Sequence, residues 1–351
     1  MTSDKLKISK YLKVFLNYGI SLIVAGIFLY IAFYQVNIND VINLVSGASI
    51  FWIVILIFTV LLGHVVRAVR WKVILHTVKP DAQLKHVFGA LMVGYGVNSV
   101  TPKFGEITRA VLLGKWENLS RSSMFGTVIV ERVIDMISLG LAVIVSVFFW
   151  RENLYDNFPW LESTLFIAAI FMVGIILLIY LTIKFKEKFY GVITKLFSKI
   201  SEKWAIKLGY IFQMLIEGFT SLKGTRNYIL TILLTIVLLL VYALSSYIGF
   251  FTLYMNEIMP VTFKMGWVLM SIAAIGVVIP TPGATGTYHA LAKTTIVLLF
   301  GFSETIGAAY AFLTHILSYF LSIFTALIVY FVLNKQRNNL IKIVETDLDE
   351  I

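Results

Sequence analysis

The sequence predicts an all-α, polytopic membrane protein: a transmembrane helix bundle of about six full crossings with two opposed broken helical hairpins. Three observations lead to this fold class. The chain is 59% hydrophobic and only 14% charged, with a mean hydropathy of +0.89, unlike an average soluble domain. Six apolar runs reach the roughly 20 residues that a helix needs to cross a bilayer. Basic and non-basic connectors alternate along the chain.

The predicted crossings are 14–34, 49–66, 132–150, 161–183, 228–254 and 303–333. Lys and Arg precede the first crossing, follow the second and fill the connector after the fourth. Because these residues concentrate in cytoplasmic loops, both termini are expected to face the cytoplasm. The first run has a basic start like a signal peptide, but it is long and has no small-residue cleavage site, so it is interpreted as a retained anchor. The stretch 37–45 is predicted to be a short interfacial helix on the outer side.

Two further apolar stretches, 86–121 and 265–302, are each interrupted near the middle by proline and glycine. If either crossed once, every later connector would change sides and the charge alternation would fail. Each is therefore predicted to be a re-entrant hairpin, the first opening inward and the second outward. Opposed broken helices in two halves of a chain indicate a transporter-like site at the midplane. The alternative is a pair of unrelated proline-kinked helices.

This pattern divides the chain into two inverted-repeat-like halves within one transmembrane domain, 1–351. The first half spans 1–183, the second spans 227–334, and a short cytoplasmic tail spans 335–351. The connector 184–226 is basic and amphipathic. Its segment 184–207 would bind anionic lipid headgroups, either as a topology anchor or to collect lipid. The net charge of +10 is attributed to such loops and not to nucleic-acid binding.

Each break holds a Thr-Pro pair with glycine close behind. Proline is favoured at the first helical position and threonine at the preceding cap, so both pairs predict helix starts. Helix N-termini attract anions, and two of them converging in the membrane interior would hold a phosphate. The predicted substrate-binding residues in and beside the breaks are Asn98, Thr101, Pro102, Gly105, Thr281, Pro282, Gly283, Gly286 and His289.

Five ionisable residues complete the predicted substrate-binding set: Glu106, Arg109, Glu131, Arg132 and Asp135. Glu106 and Arg109 lie one turn apart and can pair, which would pin the first hairpin. Glu131 and Asp135 share one face of the third crossing near the inner hydrocarbon boundary. Inside the membrane they indicate a functional site, whereas at the boundary they would be ordinary snorkelling groups.

Other polar residues are interpreted more simply. Arg67, Arg70 and Trp71 are explained as interfacial anchors at the end of the second crossing, and His315 as a hydrogen-bonded histidine in a small-residue packing stripe. The chain contains no cysteine, which excludes disulfides, thiolate nucleophiles and iron–sulfur clusters. The five histidines show no metal-ligand spacing and no phosphate-binding loop occurs, so neither a metal, a cofactor nor ATP-driven transport by this chain alone is predicted.

The stretches GHVVRAVRW, NSVTPKFGEITRAVLLGK, ERVIDMISL and PTPGATGTYH together resemble the transmembrane region of lysylphosphatidylglycerol synthases, a flippase-like membrane family. The resemblance spans nearly the whole chain and implies a membrane part that moves lipid between leaflets. The full synthases add a soluble aminoacyl-transferase domain that this sequence does not show, so the chain is not expected to make aminoacyl lipids unaided. The second break departs from the family pattern, because His289 stands where a Glu is common and His315 is the nearest candidate for a common Arg. The residues that match the first family motif are Asn98, Pro102, Gly105, Glu106, Arg109, Glu131, Arg132 and Asp135.

The resulting hypothesis is a protein of the bacterial cytoplasmic membrane that translocates a phosphate-bearing lipid. Arg109 and Arg132 would contact the phosphate, while Glu106, Glu131 and Asp135 would balance charge or exchange protons. The first alternative is an intramembrane enzyme that modifies a lipid-linked substrate with a carboxylate or a histidine as base. The second is a non-catalytic partner that presents lipid to a separate lipid-modifying enzyme.

Overall fold

The computed structural model describes residues 19–76, 78–150 and 224–334, together with six isolated helical residues between 163 and 177. Within these residues the structure contains helices and no strand, which confirms the all-α fold class. The predicted crossing 161–183 lies mostly outside the described residues. The amphipathic segment 184–207 and the tail 335–351 lie entirely outside them.

The helices are numbered in chain order through the described residues. They are α1 (Gly19–Phe33), α2 (Ile38–Ser46), α3 (Ile50–Leu75), α4 (Leu84–Val100), α5 (Phe104–Glu117), α6 (Arg121–Phe149), α7 (Thr225–Thr252), α8 (Met255–Ile258), α9 (Phe263–Val278), α10 (Thr287–Thr294) and α11 (Glu304–Asn334). A 3₁₀ turn, Pro282–Ala284, precedes α10, and a π-helical turn, Thr295–Leu299, follows it. Three helices, α3, α7 and α11, are long and apolar enough to cross a membrane, as expected of a multi-pass membrane protein.

Helices α1 and α2 meet the length and hydropathy needed for a span only as a pair, and they are bent by 82° relative to each other. Asn37 caps α2, because its side-chain oxygen accepts the N–H of Asn39 at 3.0 Å. Val41 is buried, whereas Ile42 is exposed. A short helix over the predicted stretch 37–45 is thus confirmed, and its interfacial position stays a prediction.

Two helices extend through residues that the hydropathy pattern treats as span ends. Helix α3 continues nine residues beyond the predicted end at 66, and α6 begins eleven residues before the predicted start at 132. Ser120 caps α6 by accepting the N–H of Ser123 at 3.2 Å. Arg67 and Arg70, interpreted as interfacial anchors at the end of the second crossing, lie inside α3 and are buried, so neither side chain is an exposed anchor.

The first predicted hairpin consists of α4 and α5, joined by the three-residue break 101–103. Lys103 in this break has a φ of +66°. Just after it, the N–H of Gly105 donates to the side-chain oxygen of Asn98 at 2.7 Å. A Cβ atom at Gly105 would overlap the carbonyl of Gly94, so α5 returns closely along α4.

The second predicted hairpin consists of α9 and α10, joined by the break 279–286. Gly283 and Gly286 have φ angles of +56° and +85°, a region that favours glycine. A Cβ atom at Gly276 would lie 2.8 Å from the carbonyl oxygen of Thr287. Helix α10 therefore returns against the end of α9.

The prediction that both Thr-Pro pairs start helices holds only for the second pair, where Thr281 occupies the N-cap position of a 3₁₀ turn that begins at Pro282, whereas Thr101 ends α4. The backbone N–H and the hydroxyl of Thr101 both donate to the carbonyl of Val97, at 2.7 and 2.9 Å, and so complete the end of α4. Threonine makes this bond to the preceding turn as readily as it caps the next helix. Pro282 opens only a 3₁₀ turn, and α10 begins five residues later at Thr287.

The chain folds as two compact units. The first unit contains 92–105 and 241–332, and therefore both breaks. The second contains 62–91 and 106–240, and therefore the predicted ionisable residues.

Candidate functional site

The second unit contains a buried network of arginines and carboxylates, here named the charge network. Its members come from α3, α5 and α6. They are Arg67, Arg70, Glu106, Arg109, Glu131, Arg132 and Asp135.

Glu131 lies at the centre of the charge network and is fully buried. Its carboxylate accepts the Nε–H of Arg67 at 2.8 Å and an Nη2–H of Arg70 at 3.3 Å. Arg109 donates to its other oxygen in a close ion pair. A carboxylate buried in protein is tolerated only when it is paired and hydrogen-bonded, and these guanidinium groups supply the pairing.

Asp135 lies one turn further along α6. It accepts hydrogen bonds from both Arg67 and Arg70, and Nη2 of Arg132 lies 3.0 Å from its Oδ2. Nη1 of Arg132 lies 3.8 Å from the carboxylate of Glu106. The side chains of Asp135 and Arg132 are 24% and 36% exposed, so this end of the charge network is open while the end at Glu131 is closed.

Helical spacing explains why these residues converge. Residues three or four apart lie on one face of a helix, so Arg67 and Arg70 project together from α3, and Glu131 and Asp135 from α6. The guanidinium group forms planar, forked contacts with carboxylates. The two arginines therefore bridge both carboxylates, and all four groups are joined by direct contacts.

The charge network has more positive than negative groups, since four arginines against three carboxylates leave a net charge of +1. It also has spare donors. Buried nitrogens of Arg70, Arg109 and Arg132 have no hydrogen-bond partner within the described residues. Arg109 is held from one side by Trp71, whose ring centroid is 4.8 Å from its guanidinium carbon. Unpaired donors with a positive excess suit the oxygen atoms of an anion.

The two breaks touch each other within the first unit. The Cβ position of Gly283 in the second break is 3.4 Å from Cα of Ser99, at the end of α4. Tyr319 of α11 donates its hydroxyl to the carbonyl of Ser99 at 3.1 Å. Nζ of Lys103 donates to the carbonyl of Val277 at 3.3 Å. The two breaks are therefore in contact, and their meeting inside a bilayer stays a prediction.

Two histidines lie beside the second break. Nε2 of His315 donates to the carbonyl of Gly283 at 2.8 Å, and the N–H of Gly286 donates to Nδ1 of His289 at 3.3 Å. The two imidazole centroids are 4.5 Å apart. His315 is thus the hydrogen-bonded histidine that its sequence position predicted, and it contacts the break directly.

The predicted anion site at two converging helix starts stays a prediction, and the breaks use some of its groups internally. The start of α5 is occupied, because Asn98 takes the N–H of Gly105. Thr281 lies six residues before α10 and its hydroxyl is 3.3 Å from that of Thr287. Unpaired guanidinium nitrogens lie in the charge network instead, on Arg70, Arg109 and Arg132. No cluster of His, Asp or Glu suited to hold a metal ion occurs in the part of the chain that the structure describes.

A family model described as the lysylphosphatidylglycerol synthase transmembrane region matches residues 18–326. The chain belongs to this family. The chain is also 25% identical to a UPF0104 membrane protein of Methanocaldococcus jannaschii over 320 residues, which cover 86% of this chain and 90% of that protein. It is 28% identical to a UPF0104 membrane protein of Methanothermobacter thermautotrophicus over 143 residues, 39% of this chain and 40% of that protein. No solved structure matches.

The range that the family model matches covers both breaks and the whole charge network. This confirms the family resemblance that was inferred from short stretches of sequence. Sequence reasoning missed Arg67 and Arg70 as members of the network. The available signal was two arginines at three-residue spacing followed by more apolar helix up to Leu75. Charges inside an apolar helix require partners, whereas charges that end a helix do not.

Proposed function

We propose that this protein translocates a phosphate-bearing lipid between the leaflets of a bacterial cytoplasmic membrane, with both termini on the cytoplasmic side. The observation that carries the proposal is the charge network, with its net charge of +1 and its unpaired buried arginine nitrogens. Membership of a family named for a lipid synthase's membrane region supports a lipid as the cargo.

The chemistry of the charge network suits a phosphodiester headgroup. A phosphate diester carries one negative charge, which matches the excess of one arginine. Arg132 is accessible at the open end, and Arg109 presents an unpaired Nη2 deeper in the unit. An ion is expensive to move through hydrocarbon, so a path lined by guanidinium groups lowers that barrier while the acyl chains stay in the lipid. Glu106 and Asp135 balance the arginines before the phosphate arrives.

The test is leaflet exchange in liposomes that contain the purified protein and a fluorescent phospholipid. We compare the natural chain with an Arg109→Gln, Arg132→Gln double variant, in which Glu131 still keeps Arg67 and Arg70 as partners. The matched control is Lys79→Gln, which removes a positive charge from an exposed pair with Asp81. Exchange is expected to fall toward the protein-free rate in the double variant and to stay unchanged in the control.

Equal exchange rates in the natural chain and the double variant would overturn the proposal. The same liposomes separate the alternatives. A new lipid species after incubation indicates an enzyme. No exchange by the purified natural chain, with restoration by a second protein, indicates a lipid-presenting partner.

A further inference from the structure

The two histidines beside the second break form an arrangement that the proposed lipid path does not use, here named the histidine clasp. It consists of His289 on α10 and His315 on α11, with the break residues Gly283 and Gly286 to which they are hydrogen-bonded. His289 is buried. The clasp joins three parts of the first unit: the break, α10 and α11.

The hydrogen bonds determine which nitrogen of each ring carries a proton. A neutral imidazole has one donor and one acceptor nitrogen, whereas a protonated imidazole has two donors. The carbonyl of Gly283 only accepts, so Nε2 of His315 carries a hydrogen. The N–H of Gly286 only donates, so Nδ1 of His289 keeps its lone pair. The clasp therefore requires a neutral His289.

The surroundings of the clasp are aromatic. The rings of Tyr288 and Tyr319 lie 5.6 and 5.9 Å from His315, and Phe33 of α1 lies 6.1 Å from His289. The nearest charged side chain on α10 is Lys293, one turn beyond His289, and it pairs with Glu304. Among the described residues neither imidazole contacts a carboxylate, so nothing there compensates a positive charge on the pair.

We infer that the histidine clasp is proton-sensitive: while both rings are neutral, His315 holds Gly283 of the second break against α11 and His289 holds Gly286 at the start of α10, and protonation of His289 releases the Gly286 end of the break. Protonated Nδ1 would present a hydrogen to the N–H of Gly286, which removes that bond and sets donor against donor. The new charge would lie in an aromatic, largely buried site with His315 4.5 Å away. His315 keeps its bond to Gly283, so the release begins at α10.

The expected size of the effect follows from mass action. The proton binds the released imidazole, whose ordinary pKa is about 6.5. Each pH unit below that value favours the released state by up to about tenfold. The clasp is closed above this range and opens as the pH falls. The clasp itself does not depend on the proposed function. Only its consequence for transport, namely that the second break moves faster at acidic pH, rests on that function.

The experiment uses a single reporter cysteine, Ala284→Cys, in a chain that contains no cysteine of its own. Ala284 lies in the 3₁₀ turn next to Gly283. The rate of reaction with a water-soluble thiol reagent is measured at about pH 8 and about pH 5.5, on either side of the ordinary imidazole pKa. The same rates are measured with His289→Gln added, because a glutamine amide oxygen accepts from Gly286 at any pH.

At each pH, the labelling rate of the Ala284→Cys chain with His289 (the histidine chain) is divided by the rate of the chain that also carries His289→Gln (the glutamine chain), which cancels the thiol's own pH dependence. This ratio of rates is expected to rise up to about tenfold on acidification. An equal ratio at both pH values would overturn the inference. His76→Gln, in the exposed turn just after α3, is the matched control and should leave the labelling rate of the Ala284→Cys chain unaltered at both pH values.

A second measurement covers the case in which the glutamine chain folds poorly. Nitrogen-15 NMR of the histidine-labelled natural chain at about pH 8 should show one ring with an unprotonated Nδ1 that accepts a hydrogen bond, assigned to His289 by its loss in His289→Asn. A protonated Nδ1 there would contradict the clasp. Neither measurement requires lipid exchange. If labelling depends on pH but no lipid exchange occurs, only the transport proposal is wrong. If lipid exchange occurs but labelling does not depend on pH, only the histidine clasp is wrong.

Discussion

Glu131 forms ion pairs with more members of the charge network than any arginine does. It pairs with Arg67, Arg70, Arg109 and, at 3.7 Å, Arg132, while Arg67 and Arg70 also pair with Asp135. Arg109 is 3% exposed, and its ion pair is with Glu131. Removing the charge of Glu131 therefore leaves the guanidinium of Arg109 without an ion-pair partner among the described residues, whereas removing one arginine leaves the carboxylate of Glu131 with three.

We predict that Glu131→Gln lowers the free energy of unfolding by about 3–5 kcal/mol, the range for breaking a buried ion pair by removing one partner. Asp81→Asn is the control, because Asp81 is 78% exposed in its pair with Lys79 and such surface pairs contribute less than about 1 kcal/mol. Thermal unfolding in detergent, followed by a thiol-independent dye, compares the two. Equal melting temperatures for the two variants would show that Glu131 is not the central partner.

At the scale of elements, the turn of each hairpin was predictable and its helix boundaries were not. Proline and glycine near the middle of an apolar run identify a break, because both interrupt helical hydrogen bonding or packing. The start of α5 was misplaced because Thr101 has two possible partners, and its choice of Val97 depends on how α4 ends. The fit of Gly105 against Gly94 depends on two helices together, so no local pattern reveals it.

We predict that Gly105→Ala opens or unfolds the first hairpin, because the added methyl group would overlap the Gly94 carbonyl and the Asn98 side chain. Overpacking of a close contact costs roughly 1–3 kcal/mol or more. Gly26→Ala is the matched control. It lies in α1 with nothing within 4 Å of the added atom, and alanine in a helix is more stable than glycine by about 1 kcal/mol. Gly105→Ala is expected to lower the melting temperature and Gly26→Ala to raise it. Shifts of the same sign and size in the two variants would contradict the close packing of Gly105 against Gly94.

At the scale of the whole molecule, the alternation of basic connectors predicted more than local patterns did, because it is read over the full chain. It indicated that each interrupted run is a hairpin, and the structure has two helices joined by a short break in each run; the side on which each hairpin opens stays a prediction. The charge network could not be recognised in the same way. Arg67 and Glu131 are 64 residues apart in sequence, so each charge appears costly alone and is compensated only in three dimensions.

The contact between the two breaks gives a prediction at this scale. Cysteines at Ser99 and Gly283 are expected to form a disulfide on mild oxidation, because the Cβ position of Gly283 lies 3.4 Å from Cα of Ser99 and bridged residues need adjacent Cβ atoms. The control pairs Ser99→Cys with Gly301→Cys. Gly301 shares the positive φ but has nothing within 4 Å of its Cβ position. Gel mobility under non-reducing conditions reads the result, and cross-linking of both pairs alike would refute the contact.

The length of α3 ties the charge network to the thickness of the surrounding membrane. Its 26 residues extend about 39 Å at 1.5 Å each, against a hydrocarbon layer of about 30 Å. Arg67 lies roughly 26 Å along the axis from Ile50. If Ile50 marks one boundary, lipids with longer acyl chains submerge the guanidinium groups and shorter ones bring them to the headgroups. Acyl-chain length would then set how easily a phosphate enters.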